Sequence, residues 1–414
     1  MIGAYAIGMN TANKRTAKVA IGVVLAGALA WGGLELRAAQ DARRSGDEAI
    51  KLLAQPIERA PELTKLPSAR AIAKLESALK ARSTDRLQAL LTWGQALDAA
   101  QKGKPEEART SLASAQKRLL DEPPLVRAEL SVLEGAIALQ LGDVQHAGRA
   151  ARMALMLDAR NQRARLLAVD VALEEKKSGE ALAQLDVLGG LASEHASFVN
   201  RRGLALELHG DIEGARAAYE RAGAMDASFA QGHVNLGRLL REEGRHLQAE
   251  AAFGRALQVS PNDHEAWLGR GLSRVAHGEL AAAVGDLEQA RALAPQASDP
   301  LIALADLDVA RGDLDKAIDR YRAALILEPA HAVASLKLGN AQMRKGDYSG
   351  AKAAYEAAIR HDGQLAAAHN GLGAARMALG DNDGALAALS AAVRLDERDP
   401  NPARNLELLR QRMQ

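Results

Sequence analysis

From Ala128 to Asp399 the small and bulky apolar positions of the chain recur with a period of 34 and no gap, which makes eight units. Ala147, Ala181, Ala215, Ala249, Ala283, Ala317, Ala351 and Ala385 hold one phase of that period. Pro261, Pro295 and Pro329 hold another. Self-similarity at a spacing of this size is the mark of a repeat array, in which each unit buries its apolar face against its neighbours.

Each unit reads as two antiparallel helices. Let Ala230 be position 1. Position 8 is then small at Gly135, Gly203, Gly237, Gly271, Ala305, Gly339 and Gly373, which lets the first helix lie close to its partner. Position 15 is glycine at Gly142, Gly210, Gly244, Gly278, Gly312, Gly346 and Gly380. Glycine ends a helix there because it takes the left-handed conformation that other residues avoid. Asp143, Asp211, Asp313, Asp347 and Asp381 follow it and are suited to capping the second helix. In that second helix the recurring alanine is followed four residues later by Leu185, Tyr219, Phe253, Leu287, Tyr321, Tyr355 or Leu389. Another small residue comes three further on. That spacing is one helical face.

The edges of the array are less regular. A divergent unit over 89–127 keeps Ala96, Gly103, Ala108, Leu112 and Ala115 in phase before five extra residues, Pro123 to Arg127, restore the register. The 162–195 unit has Val169 at position 8 and Lys176 in place of the turn glycine, so a looser turn is expected there. Pro400 and Pro402 are expected to stop the last unit, and within 400–414 a capping helix over 403–413 is expected to cover its open face with Leu406, Leu409 and Met413. At the other end, 37–88 reads as a helical linker interrupted by Pro56, Pro61 and Pro67, with Ala71, Leu75 and Ala78 hinting at a degenerate half-repeat.

The first residues carry a different pattern. Residues 1–18 form a short tail with Lys14, Arg15 and Lys18 as its basic side chains, and an apolar run occupies 19–36. As a helix that run is roughly 27 Å long, close to a hydrocarbon core of about 30 Å. It predicts one transmembrane helix ahead of the array, with the basic tail on the cytoplasmic side. The rival reading is a cleaved signal peptide, since Ala28-Leu29-Ala30 has the form of a cleavage site. Both target the chain to a membrane.

The repeat resembles the tetratricopeptide repeat family, on Trp267, Leu236-Gly237, Ala249, Phe253, Ala256 and Pro261. The resemblance implies an all-α fold, a right-handed superhelical solenoid of stacked helix pairs whose first helices line a concave wall where peptides bind. It also implies that positions 2, 5, 9 and 12 face inward. Position 5 holds Trp93, Val132, Leu166, Asn200, Val234, Leu268, Ile302, Leu336 and Asn370. Arg238 and Asn340 hold position 9, and Arg241, Val275, Val309, Met343 and Met377 hold position 12. Their aliphatic character points to a groove that takes a partner's apolar side chains. The alternative is that curvature closes these side chains onto their neighbours as core. Some members of the family clamp a terminal carboxylate with Lys and Asn at positions 5 and 9; here Leu336 stands beside Asn340, so that clamp is incomplete.

Composition narrows the function classes. The chain has 414 residues, Lys+Arg 53 against Asp+Glu 52, and 3% aromatic residues. Near-neutral charge and few aromatics argue against nucleic acid as a partner. The absence of Cys removes disulfides, thiolate nucleophiles and cysteine metal sites. Gly103-Lys104 lacks the upstream glycine of a phosphate-binding loop. Gly269-Arg270-Gly271 and Gly371-Leu372-Gly373 look like the start of a dinucleotide fingerprint but fall in first helices with no strand before them. His264-Glu265 has Leu268 where a second zinc-binding His belongs. No catalytic residues, metal, cofactor or small-molecule substrate are expected, and the chain reads as a non-enzyme. The expectation is a membrane-anchored adaptor that holds a protein or peptide partner at the envelope of a bacterium, on the inner membrane with its bulk in the periplasm. The alternatives are a chaperone-like quality-control factor for exported proteins and a regulatory subunit for an enzyme on another chain.

Overall fold

The computed structural model describes residues 85–118, 120, 124–192 and 195–413. The predicted tail over 1–18, the apolar span over 19–36 and the linker up to residue 84 lie outside the described residues. Among the described residues every regular element is a helix, and no helix is long and apolar enough to cross a membrane. The chain divides into two compact units, between Ser228 and Phe229.

The first unit holds α1 (Asp85–Gln101), α2 (Pro105–Arg118), α3 (Pro124–Gln140), α4 (Val144–Leu157), α5 (Gln162–Glu174), α6 (Ser178–Ala192), α7 (Ala196–His209) and α8 (Ile212–Met225). The second holds α9 (Ala230–Glu242), α10 (His246–Val259), α11 (His264–Ala276), α12 (Leu280–Leu293), α13 (Asp299–Arg311), α14 (Leu314–Leu327), α15 (Ala332–Lys345), α16 (Tyr348–His361), α17 (Ala366–Ala378), α18 (Asn382–Leu395) and α19 (Pro400–Met413). Within each, consecutive helices pack as hairpins, and first helices of neighbouring repeats also touch.

The turns follow from local chemistry. Gly210 ends α7 at φ 91°, and the N–H groups of Gly210 and Asp211 donate to the carbonyls of Glu207 and Leu206 at 3.0 and 2.9 Å. Lys176 makes the same turn after α5. Its φ is 58°, and Lys176 and Lys177 donate to Leu173 and Ala172 at 3.1 and 2.8 Å. The looser turn expected there is therefore not formed: the two hydrogen bonds close it with a lysine in the left-handed region, at a local cost of about 1 kcal/mol. Asp143, Asp211, Asp347 and Asp381 accept from the backbone N–H three residues on at 2.8–2.9 Å. Such a cap is worth about 1 kcal/mol. Asp313 departs from the set, pairing instead with Lys316 at 3.3 Å.

The cores are alanine seams filled by one bulky side chain per repeat. Phe253 of α10 lies between Gly237 of its own repeat and Gly269 of the next, where an added Cβ would stand 3.0 and 2.3 Å from the ring. Tyr355 lies in the same way between Gly339 and Gly371, at 2.7 and 2.5 Å. The Gly-x-Gly tripeptides of α11 and α17 are thus packing devices: their first glycine admits the aromatic ring of the preceding repeat and their second, Gly271 or Gly373, admits Leu287 or Leu389 of its own.

At the C-terminal edge Leu409 is fully buried and Leu406 packs beside it against Ala385 and Leu389. Two expectations need correction. Pro400 and Pro402 do not precede the capping helix but begin it, since its first turn has N–H groups that no helical carbonyl requires. Met413, in the last turn of α19, is exposed rather than covering.

Candidate partner-binding face

The first helices present positions 5, 9 and 12 on one side, and the structure separates the predicted residues into three groups. Trp93, Val132 and Asn200 in the first unit, with Val234 and Ile302 in the second, are buried, none more than 8% exposed. Trp93 and Val132 belong to the core cluster that also holds Leu133 and Ile137, and Ile302 to the one that holds Tyr321 and Leu338. All five are removed from the candidate surface, because the neighbouring helices approach closely enough to close over them.

A second group is half-buried. Leu166 represents it in the first unit. In the second, Leu268 and Val275 pack one side against the cluster that holds Leu304 and Leu307, Val309 against the Ile302 cluster, Leu336 and Met343 against the cluster that holds Tyr355 and Leu372, and Met377 against the one that holds Leu389 and Leu409. Their other sides remain accessible. This is the row of aliphatic side chains that the inward positions predict.

The third group is polar. The Tyr321 hydroxyl donates to Asp306, whose other oxygen takes Lys337 Nζ at 2.5 Å. Burial, then the Asp306 hydrogen bond and the charges of Asp306 and Asp308, push the Tyr321 hydroxyl above its ordinary range. Tyr355 donates to Asn340 Oδ1 at 2.8 Å, and burial pushes its hydroxyl up to about 12. Both tyrosines are therefore fixed as donors at neutral pH. Asn340 is exposed; half-buried Asn370 accepts from Asn405 at 2.9 Å. Arg238 pairs with Glu242 at 3.2 Å, and half-buried Arg241 has its Nε enclosed with no hydrogen-bond partner. In the first unit the corresponding polar element is Glu207, which accepts from Tyr219 at 2.7 Å.

Ion pairs between helices, which periodicity alone did not single out, fix the first helices in place. Asp286 of α12 takes Arg270 on both oxygens at 2.8 and 2.7 Å, and Arg274 on one at 2.8 Å. Arg274 also reaches back to Glu250 of the preceding repeat at 2.8 Å, where His277 joins it at 2.8 Å. One repeat later the same two positions carry Asp308 and Arg320 with the charges exchanged, 2.7 Å apart, and Arg320 reaches back to Glu288 at 3.1 Å. The signal in the sequence was a charge at positions that are alanine or leucine in most other repeats, as at Ala172, Leu240, Ala252 and Ala354.

Among the described residues no group of three or more His, Asp or Glu side chains is placed to hold a metal ion. The face offers aliphatic contact, fixed hydroxyl and amide dipoles, and a few positive charges. Such a surface binds by shape and desolvation.

Residues 234–298 and 336–400 match the family model described as tetratricopeptide repeat, and residues 305–346 match one described as TPR repeat. Human tetratricopeptide repeat protein 7B is 32% identical over 118 residues, which is 28% of this chain and 14% of the relative. The chain thus spans only a small part of the curated relative that it matches. Among solved structures, the APC/C hetero-tetramer Cut9–Hcn1 is 14% identical, covers 89% of this chain and 86% of that chain, and superposes with a TM-score of 0.54. MamA is 24% identical over 39% of this chain and 95% of that chain, with a TM-score of 0.36.

Proposed function

We propose that this chain, which carries tetratricopeptide repeats over 234–298, 305–346 and 336–400, is an adaptor that binds a segment of a protein partner along the first helices of its second unit. The observation that carries the reading is the row of half-buried aliphatic side chains, Leu268, Val275, Val309, Leu336, Met343 and Met377, each packed on one side and open on the other. A groove of that kind gains free energy by desolvating a partner's apolar side chains, while the Tyr321–Asp306–Lys337 and Tyr355–Asn340 pairs orient its backbone or polar groups. Binding rather than catalysis is its work, with no cofactor called for.

The apolar run over 19–36 supports a finer reading, in which the repeats stand on the far side of a bacterial inner membrane and take part in building an envelope machine for secretion, pili, motility or polysaccharide export. Photo-crosslinkers placed at Leu268 and Leu336 in cells test the adaptor. One dominant protein captured at both sites, and lost when Val309 is changed to Asp, is the expected result; a diffuse set of unfolded clients would replace the adaptor with a holding chaperone, and no adduct would sink both. Protease added to spheroplasts tests the orientation, with digestion of the repeats expected.

A further inference from the structure

The capping helix α19 keeps the register of a first helix. Pro402 and Leu409 are buried in it at positions 3 and 10, as Pro300 and Leu307 are in α13, and Asn405 donates to Asn370 of α17 at 2.9 Å. That register puts Arg404 at position 5 and Leu408 at position 9, four residues apart on one helical face. Arg404 is exposed, and Leu408 is 48% exposed. The inward row therefore does not stop at Met377. It runs on to α19, where an open aliphatic side chain lies beside a cation.

The charge of the row changes along it. At positions 2, 5, 9 and 12, α11 and α13 hold Glu265, Asp299 and Asp306, whereas α15, α17 and α19 hold no acidic residue there. Lys337 of α15 is already neutralised by Asp306. Two other cations on this stretch are not. Arg344, next to Met343, is exposed and gives one Nη to the Val309 carbonyl at 3.2 Å; neither it nor Arg404 makes an ion pair among the described residues. Between them Asn340 has its Oδ1 taken by the Tyr355 hydroxyl, which leaves its Nδ2 hydrogens to be given elsewhere.

We propose that α15, α17 and α19 form an acid-reading end of the groove, with α19 part of the binding surface as well as a cap. The partner segment that lies there carries aliphatic side chains over Met343, Met377 and Leu408 and side-chain carboxylates on Arg344 and Arg404. This rests on the reading of the aliphatic row as a partner's groove. Charge decides the occupant: a basic segment would meet two cations with no acid to offset them, and a wholly apolar one would cover them without pairing them, which costs free energy.

The test is selection of a random-peptide display library on the full chain, with both peptide ends joined to the carrier so that side chains supply the only carboxylates. The expected result is enrichment of peptides that combine Leu, Ile or Met with Asp or Glu, whose binding weakens as salt rises. Arg344→Glu with Arg404→Glu should weaken these peptides by about tenfold or more and remove most of the salt dependence. Leu408→Ala should weaken them by about fivefold. Arg410→Glu, an exposed site on the same helix outside the inward positions, should leave them unchanged. All four substituted residues are exposed, so the variants keep the packed interior intact. Enrichment of aliphatic peptides without acids, bound equally by the parent and the Arg344→Glu, Arg404→Glu chain, overturns the proposal and leaves the groove standing. A Leu408→Ala chain that binds as tightly as the parent removes α19 from the surface. If no peptide is enriched, or if those enriched bind a Met343→Asp, Met377→Asp chain as well as the parent, the groove reading fails together with the proposal.

Discussion

Arg201 of α7 grips both carboxylate oxygens of Asp170 of α5, at 2.6 and 3.0 Å, and the two side chains are 4% and 9% exposed. The pair joins two successive first helices in the first unit with almost no access to water. Removing one member strands a buried charge, whereas removing both strands none. Arg201→Met should therefore cost about 3–5 kcal/mol, and Arg201→Met with Asp170→Leu should recover much of that loss. Urea unfolding of the three proteins checks it; equal stability of the single and double variants would show that the pair is not coupled.

The lysine that turns where glycine is the rule gives the opposite sign. Lys176→Gly relieves a left-handed side-chain penalty and should stabilise the first unit by about 0.5–1 kcal/mol. Gly346→Ala, at φ 88°, should destabilise the second by a similar amount. The midpoint shifts in urea are the measure.

Glycines within helices divide by what a methyl group would meet. Gly269→Ala drives a Cβ to within 2.3 Å of the Phe253 ring and should cost about 2 kcal/mol or more through overpacking. Gly285→Ala, on the exposed side of α12 with open space around it, should gain about 0.5–1 kcal/mol from helix propensity. Thermal unfolding that ranks the two variants the other way would remove the aromatic-between-glycines account of the seam.

The Glu250 carboxyl sets an acid limit. Burial pushes its pKa up, but the hydrogen bonds and charges of Arg274 and His277 outweigh that and hold it below the usual carboxylate value of 4.5. A depressed carboxylate contributes stability in full above its unfolded pKa and loses it as pH falls through the folded one. Glu250→Gln should therefore destabilise the protein at pH 7 and have little effect once pH is below the folded pKa. Parallel stability curves for the variant and the parent across that range would contradict the assignment.

The repeat register was open to reading because its signals are local: the left-handed glycines, the capping aspartates and the Ala–bulky–Ala face need no knowledge of the neighbours. The binding face was readable only in part. Whether a position-5 side chain is surface or core depends on how closely the adjoining helices approach, so Ile302 is buried and Leu268 is half-open at equivalent places. The Gly-x-Gly tripeptides take their meaning from Phe253 and Tyr355, which stand over them.

The exchanged charges at Arg274–Asp286 and Asp308–Arg320 bear on how such a chain can change length through inheritance. Loss of residues 264–297 would preserve the spacing of 34 and read as a harmless skip of one module. It would nonetheless bring Gly254 to the place of Glu288, leaving Arg320 without the acid it reaches for. Modules of equal length are thus keyed to their order, and unequal crossing-over between them carries a penalty that their shared outline conceals.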